Sequence, residues 1–325
     1  VRFCGAYHGW WDDVQPGIGN PGTPGKVYTL AEMSSKTLDV IRTRRDIACV
    51  LVNPLQALHP NRNAPGDGSL ITGVRSAGIG RKAYAEWLKA LREACSDNGV
   101  VLIFDEIFVG FRIARRGAQE YFGVQADLVT YGKTLGGGLP IGVLCGRAGL
   151  MKRYREDRPA DICFARGTFN SHPYVMGAMN AFLDWFESQP GRSIYDDLDE
   201  RWQVRANRMN DRLAEAGLPF RVANFSSIFT VTYAQPSRYS WMLQFYLNLQ
   251  GLLLPWVGTG RFIFPVDFDD ATFDQVIARF ISAGKAMHDD GWWAGPSLES
   301  RQIGRMVLGE TIKAALGRRQ CCCEL

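Results

Sequence analysis

LIFDEIFVGFR, residues 102–112, and YGKTLGGGLPIG, residues 131–142, decide the fold. The first belongs to a continuous apolar run over residues 100–104 that breaks into charge at Asp105-Glu106. It follows a stretch with helical period, residues 81–98, in which Ala83, Trp87, Ala90, Leu91 and Ala94 share one face and Asn98-Gly99 forms the stop. The second follows another apolar run, ADLVTY at 126–131, and sets Lys133 beside Gly136, Gly137 and Gly138. A further strand, IGVLCG, occupies 141–146. Strand, helix and strand with unbroken apolar strands predict an α/β fold whose mixed, mainly parallel sheet is covered on both faces. In such sheets a ligand sits beyond the carboxyl ends of the strands, where both Asp105 and Lys133 fall.

Outward from this centre, residues 1–4 predict a short strand, followed by Tyr7, His8 and Gly9. The segments 15–29 and 59–80 are rich in Gly or Pro and polar residues and predict loops. Between them, 34–45 suit a helix and 47–52 (IACVLV) a buried strand. Beyond the polar turn at 164–173, PYVMGAMNAFLDWFE starts a strongly helical run, and a charged helix continues to about residue 216. After Gly217 the pattern alternates as in strands (220–233), then predicts a helix at 239–250, short strands within 252–264 and a helix at 269–290 with its N-cap near Asp269. The expected organisation is a large domain at 1–188, a connecting helix at 189–216, a small C-terminal α+β domain at 217–293 and a tail or linker at 294–325.

The bulk properties narrow the function. A chain of 325 residues with 46% hydrophobic and 22% charged residues can build a large core. The net charge of +4 comes from interspersed residues of both signs, so no nucleic-acid surface is expected. No apolar run is long and clean enough to span a bilayer. Five of the eight cysteines stand singly, which fits reduced thiols of a cytoplasmic protein. Cys321, Cys322 and Cys323 lack zinc-site spacing, and no metal is expected. The opening VRFCGAYHGWW reads as the interior of a fold, so the chain is expected to be a piece of something longer.

A carboxylate and a lysine at neighbouring strand ends is the layout that pyridoxal phosphate chemistry needs. A lysine amine forms the Schiff base, and an aspartate keeps the pyridinium nitrogen protonated so that the ring can accept electrons. A lysine beside glycines in an apolar context has its amine partly desolvated, which favours imine chemistry. The plain alternative, a surface lysine at a strand end, fits the flanking residues poorly. A helix-capping or surface role for Asp105 fits poorly after VVLIF. The run Gly136-Gly137-Gly138 lacks the spacing of a phosphate or dinucleotide loop, so it is read as close backbone packing near Lys133.

The pieces YHGWWDD (7–13), LVNPLQ (51–56), LIFDEIFVGFR, YGKTLGGGLPIG and RGTFNSHP (166–173) occur in one order that resembles the class III, fold-type I, pyridoxal-phosphate-dependent aminotransferases. Within them the chain is similar to the glutamate-1-semialdehyde aminomutase branch. The resemblance covers nearly all of residues 1–290 and implies roles for individual residues. Lys133 is the Schiff-base lysine and shuttles protons, and Asp105 pairs with the pyridinium nitrogen. Ile107 packs on the ring, although plain core packing would look the same. Tyr7 stacks on the opposite face, while His8 reads equally as a turn histidine or as a direct partner. Gln56 matches a hydrogen-bonding partner of the phenolic oxygen, with a plain loop glutamine as the alternative. Gly167 and Thr168 match a phosphate contact given by a neighbouring subunit, which implies a homodimer with shared sites. Arg261 is the cation for a substrate carboxylate or a phosphopantetheine-type carrier, with a structural ion pair as the alternative.

Two departures from the family pattern stand out. Asn53 replaces the Glu that many relatives carry at the end of that strand. The Ser/Gly/Thr-rich turn that cradles the phosphate in relatives would precede Tyr7 and is not in the sequence. The expected activity is amino transfer from a small-molecule donor to a carbonyl acceptor by a ping-pong cycle. The WWDD and FNSHPY variants resemble aminotransferase domains of polyketide and nonribosomal peptide synthases, where the acceptor is a β-keto acyl chain on an acyl carrier protein. An aminomutase of the glutamate-1-semialdehyde type is the second expectation. A dimerisation remnant unable to hold pyridoxal phosphate is the third.

Overall fold

A computed structural model describes residues 1–3, 6–9, 27–54, 80–160, 167–233, 239–254, 261–293 and 300–315. The chain forms two compact units, with described residues up to 199 in the first and from 200 in the second.

The first unit is built on a four-stranded sheet in the order β3-β4-β5-β6. Here β3 is Cys49–Val52, β4 is Val101–Asp105, β5 is Leu128–Gly132 and β6 is Gly142–Gly146. The first three run parallel and β6 is antiparallel, as the mixed sheet in the sequence predicts. Two short parallel strands, β1 (Arg2–Phe3) and β2 (Thr29–Leu30), precede them. β1 joins β3 through the Leu51 N–H, which donates to the Val1 carbonyl at 2.9 Å.

The apolar strand residues are buried unequally on the two faces of the sheet. Val50, Val52, Leu102 and Phe104 are fully buried, as are Leu88, Leu91, Ala94 and Cys95 of α2 (Arg81–Asp97). The alternate residues Cys49, Leu51, Val101 and Ile103 are half-buried. The sheet expected to be covered on both faces is thus fully buried on one face and half-buried on the other. β6 departs further, with Leu144 and Cys145 exposed on an apolar strand. Continuous apolar sequence signals burial somewhere, without saying whether the same chain supplies the cover.

This unit also carries α1 (Ser35–Thr43), α3 (Gly117–Phe122) and α4 (Pro173–Glu187). A short α5 (Gln189–Ser193) leads to α6 (Leu198–Glu215). Asp127 ties the sheet together. It accepts the Leu102 N–H at 2.8 Å, Arg92 at 2.7 Å and Arg147 at 2.8 Å. Burial alone would raise its pKa, but these bonds outweigh it and hold the carboxyl below its ordinary value.

The second unit carries an antiparallel sheet, β7 (Phe220–Phe225), β8 (Ile228–Tyr233) and β9 (Arg261–Ile263). Helices α7 (Met242–Leu249) and α8 (Asp270–Asp289) follow the predicted pattern, and α9 (Ser300–Ala315) lies in the segment expected to be a tail or linker. Asp269 caps α8 by accepting the Thr272 N–H at 2.7 Å. The core is aromatic: Trp202 stacks on Phe264 at 5.3 Å and meets Phe229 edge-on at 5.8 Å. Among the described residues no helix is long and apolar enough to cross a membrane.

Candidate active site

Parallel pairing puts the carboxyl ends of β1, β3, β4 and β5 at one edge of the sheet. Asp105 is the last residue of β4, and its backbone is in register with Thr130 of β5. Lys133 follows directly on β5, at the start of a 3-10 turn spanning Lys133–Gly136. The lysine itself is exposed, and its φ is 43°, inside the left-handed region. Gly132, just before it, has no room for a side chain. A Cβ there would lie 2.9 Å from the Ile141 carbonyl and 3.2 Å from Ile107 Cγ2. Ile107 therefore packs directly under the strand end that presents Lys133.

His8 comes from the loop after β1 and reaches across β3. Its Nδ1 lies 2.6 Å from Asp105 Oδ2, in a pair whose side chains are 2% and 10% exposed. Asp105 Oδ1 accepts the Ile107 N–H at 3.2 Å and the Thr130 hydroxyl at 3.3 Å. Three elements thus fix one carboxylate. Among the described residues no Lys or Arg forms an ion pair with it. A buried carboxylate calls for a cation, and here a protonated ring nitrogen would supply one. His8 Nε2 is also buried and has no hydrogen-bond partner among the described residues. Tyr7, beside it in sequence, stands 51% exposed.

Glu106 points the other way. Its Oε2 accepts the Ala118 N–H at 2.7 Å, at the start of α3. Gly117, with φ of +65°, makes room for it, since a Cβ there would sit 1.8 Å from Glu106 Oε2. Burial pushes the Glu106 pKa up to about 7, with the Asp105 charge adding to the rise and the α3 backbone N–H groups opposing it. This carboxyl joins the strand end to a helix, a structural part.

Gly167 and Thr168 stand exposed on the turn before α4, followed by Phe169 at 78% and Tyr174 at 80% exposure. Gln56 lies outside the described residues, and so does the side chain of Arg261, whose backbone pairs with Thr230. Thr130 was not found by sequence reasoning. The signal was there, because a hydroxyl in register with Asp105 on the next strand is placed to donate to it.

The sheet with a lysine and an aspartate at adjacent strand ends defines a class: α/β enzymes of the pyridoxal phosphate transferase fold. The sequence profile described as "Aminotransferase class-III" matches residues 12–282. The chain belongs to the class III aminotransferase family. It is similar to a glutamate-1-semialdehyde 2,1-aminomutase of Hydrogenobaculum sp., with 32% identity over 250 residues, covering 72% of this chain and 53% of that protein. A protein of the same name from Nitratidesulfovibrio vulgaris is 33% identical over 241 residues, again covering 72% and 53%. The chain therefore spans about half the length of these curated relatives. An omega-transaminase from Sphaerobacter thermophilus matches with a TM-score of 0.65 and 25% identity, covering 87% of this chain and 67% of that one.

Pyridoxal phosphate is the cofactor of this family, and the residues on the sheet edge fit its ring. Asp105 offers a fixed carboxylate with no Lys or Arg paired to it among the described residues, Ile107 offers an apolar wall, and Lys133 offers an amine on the same edge.

Proposed function

We propose that this chain transfers an amino group from a small-molecule donor to a carbonyl acceptor, in two half-reactions, with pyridoxal phosphate. The observation that carries this reading is the His8–Asp105 pair at 2.6 Å, on the same sheet edge as Lys133. When bound, pyridoxal phosphate supplies the electron sink that stabilises negative charge at the substrate α-carbon.

Each side chain then has a stated task. The Lys133 amine would hold the cofactor's aldehyde carbon and would carry the proton between the substrate α-carbon and the cofactor's C4′ carbon. Asp105 keeps a proton on the ring nitrogen, and His8, Thr130 and the Ile107 N–H hold its carboxylate in place. Ile107 and Tyr7 cover the two ring faces and exclude water. Gln56 would donate to the phenolic oxygen, and Gly167 and Thr168 of a second subunit would hold the phosphate. Arg261 receives an acidic group of the substrate.

Exposed apolar surface supports a homodimer. The α4 sequence PYVMGAMNAFLDWFE is apolar around its circumference, yet Phe186 is its one buried residue. A helix of this kind is normally covered on all sides, and a second copy would cover it. The carrier-bound β-keto acyl acceptor rests on the WWDD and FNSHPY motifs. The aminomutase reading, with amino group and carbonyl on one substrate, is favoured by the names of the 32–33% identical relatives.

A screen of amino donors against protein loaded with pyridoxal phosphate tests the reading. Loss of the visible cofactor band, with one equivalent of keto product released, supports amino transfer. A folded protein that gains no band with added pyridoxal phosphate speaks for the non-catalytic alternative.

A further inference from the structure

The turn that presents Lys133 is held in a costly backbone conformation. A φ of 43° at a residue with a Cβ costs about 1–2 kcal/mol. Within the turn the Gly137 N–H donates to the Thr134 carbonyl at 3.2 Å, and the Leu139 N–H to the Gly136 carbonyl at 3.0 Å. Strain of this kind persists only where surrounding structure imposes it.

A second element reaches the turn. Arg112, on the segment after β4, donates from Nε to the Phe108 carbonyl at 3.2 Å and from Nη2 to Thr134 Oγ1 at 3.4 Å. Its guanidinium lies 5.8 Å from the Phe108 ring centroid, and Lys133 Nζ lies 5.8 Å from the same ring. Burial disfavours the guanidinium charge and lowers its pKa, so its N–H groups are directed at protein acceptors. The turn after Asp105 and the turn bearing Lys133 are thus joined by one side chain.

We propose that Arg112 is a positioning residue: through Thr134 it holds the Lys133 turn in its left-handed conformation, with the amine on the same edge as Asp105. The purpose assigned to the turn rests on the proposed cofactor role of Lys133.

Amide hydrogen exchange by mass spectrometry, on Arg112→Met, Thr134→Val and Thr134→Ser proteins, tests the tether. Thr134→Val keeps the shape of the side chain, so it guards against a general folding failure in Arg112→Met. The expected result is exchange at Gly137 and Leu139 about tenfold faster in the first two variants, with β4 unchanged and Thr134→Ser like wild type. Labelling of Lys133 by pyridoxal phosphate and borohydride should slow by about tenfold against Lys89 in the same molecules, and Thr134→Ser should restore it. Unchanged turn exchange in both variants overturns the proposal, as does faster exchange spread through β4. Unchanged labelling of Lys133 overturns the positioning role even where the turn loosens. A wild-type protein with no label on Lys133 defeats the cofactor reading instead, and the exchange measurement still decides the tether.

Discussion

His8 Nδ1 lies 2.6 Å from Asp105 Oδ2, although 97 residues separate them in the chain. The contact joins the loop after β1 to the end of β4, across the strand between them. It fixes a buried carboxylate at the place where a ring nitrogen would be bound.

Replacing His8 by Ala should therefore weaken cofactor binding while leaving the fold intact. Loss of a hydrogen bond to a charged group is worth about 1.5–3 kcal/mol, or about tenfold to a hundredfold in Kd. Titration of the protein with pyridoxal phosphate, followed by absorbance, measures it. An unchanged Kd would mean that His8 only shapes the turn.

Glu106 predicts a pH dependence of stability. Its pKa is about 7 in the folded chain against an ordinary value of 4.5. Below the lower value both states hold the proton and no penalty exists. Between the two, the folded state keeps a proton that the unfolded chain has released, so stability falls as pH rises. Above about 7 the full penalty, about 3 kcal/mol, is present. Glu106→Gln keeps an acceptor for the Ala118 N–H and carries no charge. Denaturant unfolding should show it close to wild type near pH 4 and more stable at pH 8.

Gly117→Ala tests the same junction sterically. The added Cβ would meet Glu106 Oε2 at 1.8 Å, at a φ of +65°. A loss of about 3 kcal/mol or more is expected, read as a fall in the denaturant midpoint. Gly123→Ala is the control, because its φ is +67° but nothing lies within 4 Å of its Cβ. It should lose only the backbone part.

The strand ends were legible because apolar runs stop abruptly at Asp105 and at Lys133. The α8 cap was legible because Asp269 stands one residue before the helical period begins. Other parts needed three dimensions. α3 is only six residues long and exists because Glu106 caps it and Gly117 makes the turn. The sequence left His8 between two readings, and only the fold brings it within 2.6 Å of Asp105. Exposure of β6 and α4 could not be read, since an apolar residue looks the same under its own chain or under another.

The exposed aromatics give a prediction about assembly. Phe169 and Tyr174 are 78% and 80% exposed beside Thr168. Serine at both positions should shift the protein from dimer to monomer in light scattering coupled to size exclusion. A wild-type monomer at the same concentration would remove the shared-site reading.

The central claim is that Lys133 is the cofactor lysine. Treating the protein with pyridoxal phosphate, reducing it with borohydride and mapping the labelled peptides tests this most directly. One label per chain on Lys133, absent in Lys133→Ala, is the predicted result. Label scattered over surface lysines such as Lys36 and Lys89, with Lys133 unmodified in folded protein, would contradict it.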